Sequence, residues 1–370
     1  MDALFVTSSL AVGGSEQKTV RLANGMAARG LRAGIAYLDL PDTLQRIVAP
    51  GVPVLHLHRR GKFSLGATRA LRRLIVQRRP RAVVAVNLYP TLYVALAGGA
   101  DARSRLLAAM NTTRLDSPRD RRRMMLYRPV LRRFDTVVFG SEIQRDIWRK
   151  RTDVRVEPAR SCVLYNGIDT GFFARGAVRA LELGGWPASR IVLGTIGSLR
   201  PVKSQRDFVT ALERLTAAGF DVGGILVGEG PERAAIEAQI AAAGLADRVH
   251  LAGHIDDVRP YLAAMQVFVL TSHDETFSNA ALEAMSMGCP VVTSDVGGMG
   301  EMIRHGGGVA YAPGDAEDLV CKLKDLLASP DRRVRMGHDG RAAVEQHFGV
   351  DRMVDRFLEV AHLRAEADHA

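Results

Sequence analysis

Short apolar runs alternate with longer amphipathic segments along most of the chain. In the first half the runs that predict buried strands fall at residues 4–7, 34–38, 54–57, 82–86, 106–110, 136–139 and 162–165. The pattern restarts in the second half at residues 191–196, 224–227, 249–251, 267–270, 290–293 and 308–311. Strands that alternate with helices in this way predict a parallel sheet covered on both faces. The repeated pattern therefore predicts two such sheets in an α/β protein.

The helices predicted between and after these strands support the same division of the chain. They fall at residues 13–29, 65–77, 144–150, 204–218, 231–243, 258–265, 278–287, 316–327, 331–347 and 350–365. Pro231 is expected at the first helical position of its helix. A chain of 370 residues is long for a single core. The turn at Asn166-Gly167 and the weak periodicity up to Trp186 place the linker there, so we predict doubly wound domains over residues 1–172 and 173–350 and a terminal helix in residues 351–370.

Composition limits the class of protein. The formal charge of +10 suits an anionic partner, although high arginine with high alanine and glycine is equally typical of GC-rich coding. Three separated cysteines argue against a disulfide framework and a zinc site and indicate a reducing, cytoplasmic location. The start of the chain lacks the basic region of a signal peptide, and no apolar stretch reaches the ~18–20 residues of a membrane span.

Two carboxylates stand out in the stretch 270–301. Glu275 lies in a polar loop after a predicted strand, and Glu283 lies in the helix that follows. Glu283 is out of register for a capping box from either Ser278 or Asn279, because a capping box needs the acid three residues after the cap. It is either a solvated helix glutamate or, with Glu275, an acceptor for ligand hydroxyls. The amides at the helix start suit a phosphate.

Two further loops follow predicted strands. The segment from Gly197 to Lys203 carries Arg200 and Lys203, which would either bind a diphosphate or form an exposed basic loop. The pair Gly13-Gly14 opens a helix and permits close approach of a ligand. The dinucleotide fingerprint G-x-G-x-x-G, the P-loop motif and Asp-x-Asp do not occur in the sequence, which disfavours NAD and a metal-held nucleotide diphosphate.

Together these segments resemble the retaining GT-B glycosyltransferases of family 4 (group 1). The E-x7-E signature of the family matches Glu275 and Glu283. An ordered series of further motifs fits over nearly the whole chain: GGSEQ (13–17), LYNGID (164–169), GSLRPVK (197–203), LVGEGPER (226–233), AGHIDDVRPYLAAM (252–265) and DVGGMGEMI (295–303).

The resemblance implies an enzyme of the hexosyl- or N-acetylhexosaminyltransferase type that moves a sugar from a UDP- or GDP-linked donor to a hydroxyl group, without a metal or other cofactor. The implied fold has two Rossmann-like domains facing across a cleft, the first for the acceptor and the second for the nucleotide sugar, with the terminal helix returning to the first. The implied acceptor is a glycan or a lipid-linked glycan, as in polysaccharide or lipopolysaccharide synthesis.

Site roles are implied in the same way. Glu275 would bind the donor sugar, and Lys203 with Arg200 would stabilise the leaving diphosphate. Glu283 would bind the ribose. The other implied contacts are the amides of Thr276, Phe277, Ser278 and Asn279 at the diphosphate, Gly197 in the donor loop, Gly228, His254 and Ile255 at the base, and Gly13 and Gly14 at a phosphate or the acceptor.

The sequence departs from the family at several of these positions. Asn87 and Asn111 stand where histidines are common in the family, and an asparagine can bond a hydroxyl but cannot act as a base. Ser198 stands where arginine is frequent, and Thr276 where glycine is. A sugar-nucleotide epimerase on the same fold and a non-catalytic sugar- or partner-binding relative remain as alternatives.

A basic segment at residues 116–133 has a second interpretation. Arginines from Arg119 to Arg133 surround Met124, Met125 and Leu126. A basic amphipathic helix can lie on an anionic bilayer, which predicts peripheral contact with the cytoplasmic face of a membrane. The alternative is a solvated helix with one face in the core. Nucleic-acid binding is disfavoured, because no aromatic platform or motif accompanies the charge.

Overall fold

The computed structural model describes residues 1–61, 63–98, 104–111 and 118–363. The chain divides into two compact units, residues 1–167 with 350–370 and residues 168–349. Each unit contains one parallel sheet with helices on both faces, which confirms the predicted α/β class. The first residues of the predicted basic segment, 116–117, and the last of the terminal segment, 364–370, lie outside the described residues. The predicted assignment of acceptor and donor binding to residues 1–172 and 173–350 stays a prediction.

In the first unit, the described strands of the sheet are arranged in the order β3-β2-β1-β4-β5-β6-β7. Its elements are β1 Ala3–Thr7, α1 Gly14–Ala28, β2 Ala33–Tyr37, β3 Val54–His56, α2 Leu65–Arg78, β4 Ala82–Val86, α3 Leu88–Ala97, β5 Arg105–Met110, α4 Pro118–Leu131, β6 Thr136–Phe139, α5 Glu142–Lys150 and β7 Ser161–Val163. The chain returns to this unit with α13, Val350–Val360.

The strands of the first sheet are buried on both faces, as a parallel sheet requires. Leu4 and Val6 of β1 point into a core formed with α2, α3, α4 and α5. The alternate residues, Ala3 and Phe5, point into a core formed with α1 and α13. Phe357 of α13 packs on Phe5 with ring centroids 5.3 Å apart.

In the second unit, the described strands follow the order β10-β9-β8-β11-β12-β13. Its elements are β8 Ile191–Ile196, α6 Gln205–Ala217, β9 Val222–Val227, α7 Arg233–Ala242, β10 Val249–Gly253, α8 Arg259–Ala264, β11 Val267–Leu270, α9 Asn279–Ser286, β12 Val291–Ser294, α10 Met299–Ile303, β13 Gly308–Tyr311, α11 Ala316–Leu327 and α12 Pro330–His347. One core of this unit joins β8, β11 and β12 to α6, α7 and α11.

In both sheets the strand order reverses at one point, between β1 and β4 and between β8 and β11. Loops that leave the carboxyl ends of the two central strands diverge there, and ligands of doubly wound sheets collect in the opening. The loops that carry Gly13, Asn87, Lys203 and Glu275 all lie at these two switch points. The loops at the two switch points are therefore the same loops that carry the candidate site residues predicted from the sequence.

Two local predictions were wrong, and one helix was missed. Helix α7 begins at Arg233 and not at Pro231, because the preceding turn is held by the Leu199 carbonyl, which accepts from the Glu232 amide at 3.0 Å. The glycines at 297, 298 and 300 predict a loop, but the chain becomes helical from Met299. Helix α3 was not singled out, since its sequence is apolar almost throughout and has little periodicity.

No helix in the described part of the chain combines the length and the apolar character needed to cross a membrane.

Candidate functional site

The centre of the candidate site is the switch point of the second sheet, where the loops after β8 and β11 are bonded to each other. The His273 amide donates to the Val202 carbonyl at 2.8 Å. The Thr271 hydroxyl donates to the Lys203 carbonyl at 2.9 Å. These bonds hold the one-turn helix Pro201–Lys203 against the polar loop that contains Glu275.

The Lys203 ammonium group donates a hydrogen bond to Oε2 of Glu275. The two side chains are 25% and 14% exposed, so the pair is largely covered but can be reached from solvent. A cation and a carboxylate are thereby presented at one point of the sheet edge. The first can bind a phosphate oxygen and the second can accept hydrogen bonds from hydroxyl groups.

The Glu275 backbone is fixed from the other side by the loop after β12. The Gly298 amide donates to the Thr276 carbonyl at 3.0 Å. Gly297 adopts a φ of +52°, and a Cβ at this position would lie 1.6 Å from the Glu275 carbonyl oxygen. Only glycine can occupy this position, because both the conformation and the close approach exclude a side chain.

Helix α9 begins directly after this loop. Ser278 is its N-cap, and its hydroxyl accepts from the Ala281 amide at 3.3 Å. Ala281 therefore holds the position that a capping-box acid would need, which confirms that Glu283 is not a capping acid. Glu283 is nevertheless only 7% exposed. A carboxylate so deeply covered in the first turns of a short helix is not a solvated surface glutamate.

The loops after β8, β9 and β10 lie along the same edge of the second sheet. The Gly197 amide donates to the Val227 carbonyl at 2.9 Å, and the Gly228 amide to the Gly253 carbonyl at 2.8 Å. Gly228 has a φ of +141°, and its Cβ would lie 2.0 Å from the Gly197 carbonyl oxygen. Beyond it, the exposed His254 ring lies 3.6 Å from the Asp256 carboxylate and Ile255 is half-buried.

The predicted donor residues thus lie on adjacent loops along one edge, in the order 254–255, 228, 197–203 and 275–279. Arg200 differs from its neighbours, because its exposed side chain lines a groove between α6 and α7 while Lys203 pairs with Glu275. Within the described residues, no group of three or more His, Cys, Asp or Glu side chains is placed to hold a metal ion.

In the first unit the structure brings both predicted asparagines together at the switch point. Oδ1 of Asn87 accepts from the backbone amide and from Nδ2 of Asn111, at 3.2 and 3.1 Å. Asn87 also donates to the Ser15 hydroxyl at 3.3 Å, directly after the Gly13-Gly14 pair. Asn87 has a φ of +70°, which asparagine tolerates better than most residues. The Ser15 hydroxyl donates in turn to the Glu16 carboxylate at 2.8 Å, so two amides and a hydroxyl form a network that ends on a carboxylate.

Beneath this network lies Lys18, which the sequence analysis missed. The residue is 8% exposed, and its ammonium group donates to the Leu164 carbonyl. It borders a small cavity of about 30 Å³ together with Ser15 and Asn111. Burial lowers the pKa of Lys18 to about 7, because the interior removes hydration from the charged form, and the nearby Cys162 thiol opposes the shift.

A sequence signal for Lys18 did exist. Residues 18, 22 and 26 are four apart and form one stripe of α1, and Leu22 and Met26 are buried on it. A lysine within an apolar stripe at helical spacing is a candidate for a buried charge. Ser15 could have been found as the first polar side chain after the glycine pair.

Helix α4 has the two-faced character that its sequence predicts. Met124, Tyr127 and Leu131 are buried against the first core. Met125 and Leu126, 63% and 75% exposed, lie on the outside and follow the exposed arginines at 121–123. The helix therefore packs by one face and presents both apolar and cationic side chains by the other.

Comparison with known proteins decides the family. A sequence profile described as Glycosyltransferase Family 4 matches residues 12–172, and one described as Glycosyl transferases group 1 matches residues 190–329. The chain belongs to the family 4, or group 1, glycosyltransferases. The matches cover both units and include every loop of the candidate site. The resemblance inferred from the motifs is therefore confirmed.

Three curated relatives of this family 4 chain have names that describe different activities. It is 33% identical to the 2-deoxystreptamine glucosyltransferase of Streptomyces kanamyceticus, over 43% of this chain and 42% of the relative. It is 31% identical to the N-acetyl-alpha-D-glucosaminyl L-malate synthase of Bacillus anthracis, over 52% and 51%. It is 30% identical to a lipopolysaccharide core biosynthesis glycosyltransferase of Rhizobium meliloti (strain 1021), over 47% and 50%. The chain matches about half the length of these relatives.

Solved structures confirm the GT-B fold of this family 4 chain. HepE of Anabaena, crystallised in complex with UDP, superposes with a TM-score of 0.82 at 22% identity and covers 98% of this chain and 100% of that one. A glycosyltransferase of Rickettsia africae superposes with a TM-score of 0.82 at 16% identity, over 97% of each chain. At these identities the likeness concerns the fold.

Proposed function

We propose that the protein is a retaining, metal-independent glycosyltransferase that moves a hexosyl or N-acetylhexosaminyl group from a nucleotide-diphosphate sugar to a hydroxyl of a glycan or lipid-linked acceptor. The observation that carries the proposal is the Lys203–Glu275 pair at the switch point of the second sheet. It offers a cation for the leaving diphosphate beside an acceptor for the sugar hydroxyls. An ion pair that solvent can reach can exchange its partner for an arriving phosphate.

In this reaction the bond between the anomeric carbon and the diphosphate oxygen breaks, and negative charge develops on the leaving phosphate. Lys203 stabilises that charge together with the amides of residues 276–279 at the start of α9, and the exposed Arg200 side chain turns from its groove toward the diphosphate to assist. Glu275, released from Lys203, accepts hydrogen bonds from the donor sugar. Glu283 binds the ribose hydroxyls, and the loops at Gly228, His254 and Ile255 contact the base. A UDP-linked donor is favoured, since HepE was crystallised with UDP and with UDP and glucose.

The acceptor hydroxyl binds at the switch point of the first sheet, at Asn87, Asn111 and the Gly13-Gly14 loop. The new bond forms between the acceptor oxygen and the anomeric carbon. The proton of the acceptor passes to the leaving phosphate, so that neither asparagine needs to act as a base. The relatives named for lipopolysaccharide core biosynthesis favour a role in polysaccharide or lipopolysaccharide synthesis in the cytoplasm.

The proposal includes peripheral contact between the outer face of α4 and the cytoplasmic face of a membrane. Met125 and Leu126 would enter the interface while the arginines at 121–123 meet anionic headgroups. Flotation with phosphatidylglycerol vesicles tests it. Binding that is absent with phosphatidylcholine and lost in the double variant Met125→Ser, Leu126→Ser supports the contact. Equal flotation of the variant rejects it.

A thermal-shift screen with UDP-, GDP- and ADP-sugars, with and without EDTA, tests the donor assignment. A ligand that binds only the native state raises its melting temperature, and the true donor is expected to do so in EDTA. Donor consumption with a glycan acceptor then establishes transfer. A shift without consumption would favour the non-catalytic relative, to which the two asparagines lend some support. Interconversion of the donor sugar would instead identify an epimerase.

A further inference from the structure

An open groove of about 310 Å³ lies between the first turns of α6 and α7 in the second unit. Its walls carry Arg200, Arg206, Asp207, Thr210 and Glu232. Ile236, which is fully buried, contributes to its lining. The proposed transfer reaction uses only Arg200 of this set, so most of the groove is unassigned.

Gln205 points to a ligand in this groove. Its side chain is 3% exposed and lines the groove. Nε2 donates to the Ser198 carbonyl at 3.0 Å, which identifies the other end of the amide as the oxygen. That oxygen, Oε1, has no hydrogen-bond partner among the residues described. A buried acceptor left without a donor is costly, so an O–H or N–H group that reached this oxygen from outside the chain would complete its bonding.

The walls indicate what kind of molecule supplies that donor. The guanidinium groups of Arg200 and Arg206 are matched by the carboxylates of Asp207 and Glu232. A fully ionised phosphate would meet both carboxylates and would offer no proton to Gln205. A neutral sugar offers hydrogen-bond donors and acceptors around one ring, which suits walls that carry both cationic and anionic side chains.

We propose that this groove is a saccharide-binding site, separate from the Lys203–Glu275 pair, that holds one neutral sugar unit. The inference goes beyond the proposed reaction, because binding requires neither donor nor turnover. If the proposed function holds, the unit belongs to a glycan that the enzyme extends, and the groove anchors that glycan away from the reacting centre.

The side chain of Ile236 provides a local reporter. Protein labelled at isoleucine Cδ1 methyl groups is titrated, without nucleotide, with glucose, mannose, galactose and N-acetylglucosamine, and separately with inorganic phosphate. The Ile236 resonance is assigned by its disappearance in Ile236→Val. Because this residue lines the groove, its shift reports occupation there and is not produced by a sugar bound only at Glu275.

We expect at least one of the four sugars to shift the Ile236 resonance saturably. The dissociation constant should rise about tenfold in Gln205→Leu and in Arg206→Ala, the loss typical of one or two hydrogen bonds. Glu213→Ala, an exposed change on the same helix, should leave it unchanged. Arg206 is exposed, so its variant remains informative if Gln205→Leu unfolds.

Three results would overturn the proposal: no shift with any of the four sugars, a shift with phosphate alone, or an affinity that both groove variants leave intact. The donor assignment is tested separately by nucleotide-sugar binding in the wild-type protein. A failure of the groove site and a failure of the proposed function are therefore distinguishable.

Discussion

The switch points of the two sheets each have a lysine, and the two lysines are held in opposite ways. Lys203 reaches solvent and is paired with the Glu275 carboxylate. Lys18 is buried and is paired with the Leu164 carbonyl. The Glu275 carboxylate balances the positive charge of Lys203 and can be displaced by an arriving anion. The Leu164 carbonyl carries no net charge and cannot balance that of Lys18. Burial therefore lowers the pKa of Lys18 to about 7. The first arrangement suits ligand chemistry, whereas the second buries an ammonium group at a cost to the stability of the fold.

The loops around the two lysines differ as well. At the second sheet they are joined by backbone hydrogen bonds and by glycines at close approach, as at Gly228 and Gly297. At the first sheet the side chains of Asn87, Asn111 and Ser15 form the connection. A rigid edge with an exposed cation can be preorganised for a developing negative charge, while a network of amides and a hydroxyl that ends on the Glu16 carboxylate suits hydroxyl groups. This contrast agrees with the proposed donor and acceptor roles.

The largest effect is expected at the charged edge. Lys203→Ala should lower kcat/KM for the donor by about 10²–10³-fold, because one donor to a developing oxyanion contributes on that scale. The unfolding midpoint should change little. Lys322→Ala is the matched control, since Lys322 pairs with Asp318 on α11, outside the site. Steady-state kinetics with both variants measure the difference, and wild-type turnover in Lys203→Ala would remove the basis of the donor assignment.

The rigidity of the same edge is tested by Gly297→Ala. The added Cβ meets the Glu275 carbonyl, so we expect a loss of about 3 kcal/mol in the free energy of unfolding, together with loss of donor binding. Gly244→Ala is the control, because Gly244 has a φ of +65° but open space around it, and should cost about 1 kcal/mol. Urea denaturation compares the two. Equal losses of unfolding free energy in the two variants would mean that both report only the strain of a positive φ, and that the contact with the Glu275 carbonyl is unimportant.

The buried lysine predicts a pH dependence of stability. Its pKa of about 7 in the folded protein lies below the ordinary lysine value of 10.5, so between these pH values the unfolded chain binds more protons and stability rises with pH. Lys18→Met should remove this contribution, which has a slope of about 1.4 kcal/mol per pH unit, and should stabilise the protein most below pH 7. Denaturant unfolding at several pH values measures it. The exposed Lys150→Met serves as control, and identical slopes in wild type and Lys18→Met would contradict the burial argument.

The smallest effect is expected at the asparagine network of the first sheet. Asn111→Ala removes a donor to Asn87 and should lower acceptor-dependent turnover about tenfold while the thermal shift caused by the donor is unchanged. Asn24→Ala is the control, because the Asn24 side chain is also hydrogen-bonded, donating to the Ile47 carbonyl and accepting from the Ala49 amide, but lies elsewhere in the first unit. A weakened donor shift in Asn111→Ala would contradict the division of roles between the two edges.

Much of the fold and part of the candidate site could be predicted from local patterns. The strand at Val267–Leu270 and the helix at Ala316–Leu327 begin and end where their patterns predict. The register of Glu283 relative to Ser278 was read correctly, because a cap depends on residues only three apart. Helix α3 and the start of α7 were not predicted, since the first has no clear period and the second depends on a bond to Leu199.

The sequence by itself determined the α/β alternation, the family and the residue types available at each loop, because these depend on short-range patterns and ordered motifs. Only the tertiary structure decided that Lys203 pairs with Glu275, 72 residues away, while Arg200 lines a different groove. It also decided that Lys18 is buried and that Asn87 bonds Asn111. These contacts join segments that are distant in the chain. The order of the strands and the close approach of the backbone bring them together, and no local sequence pattern encodes either feature.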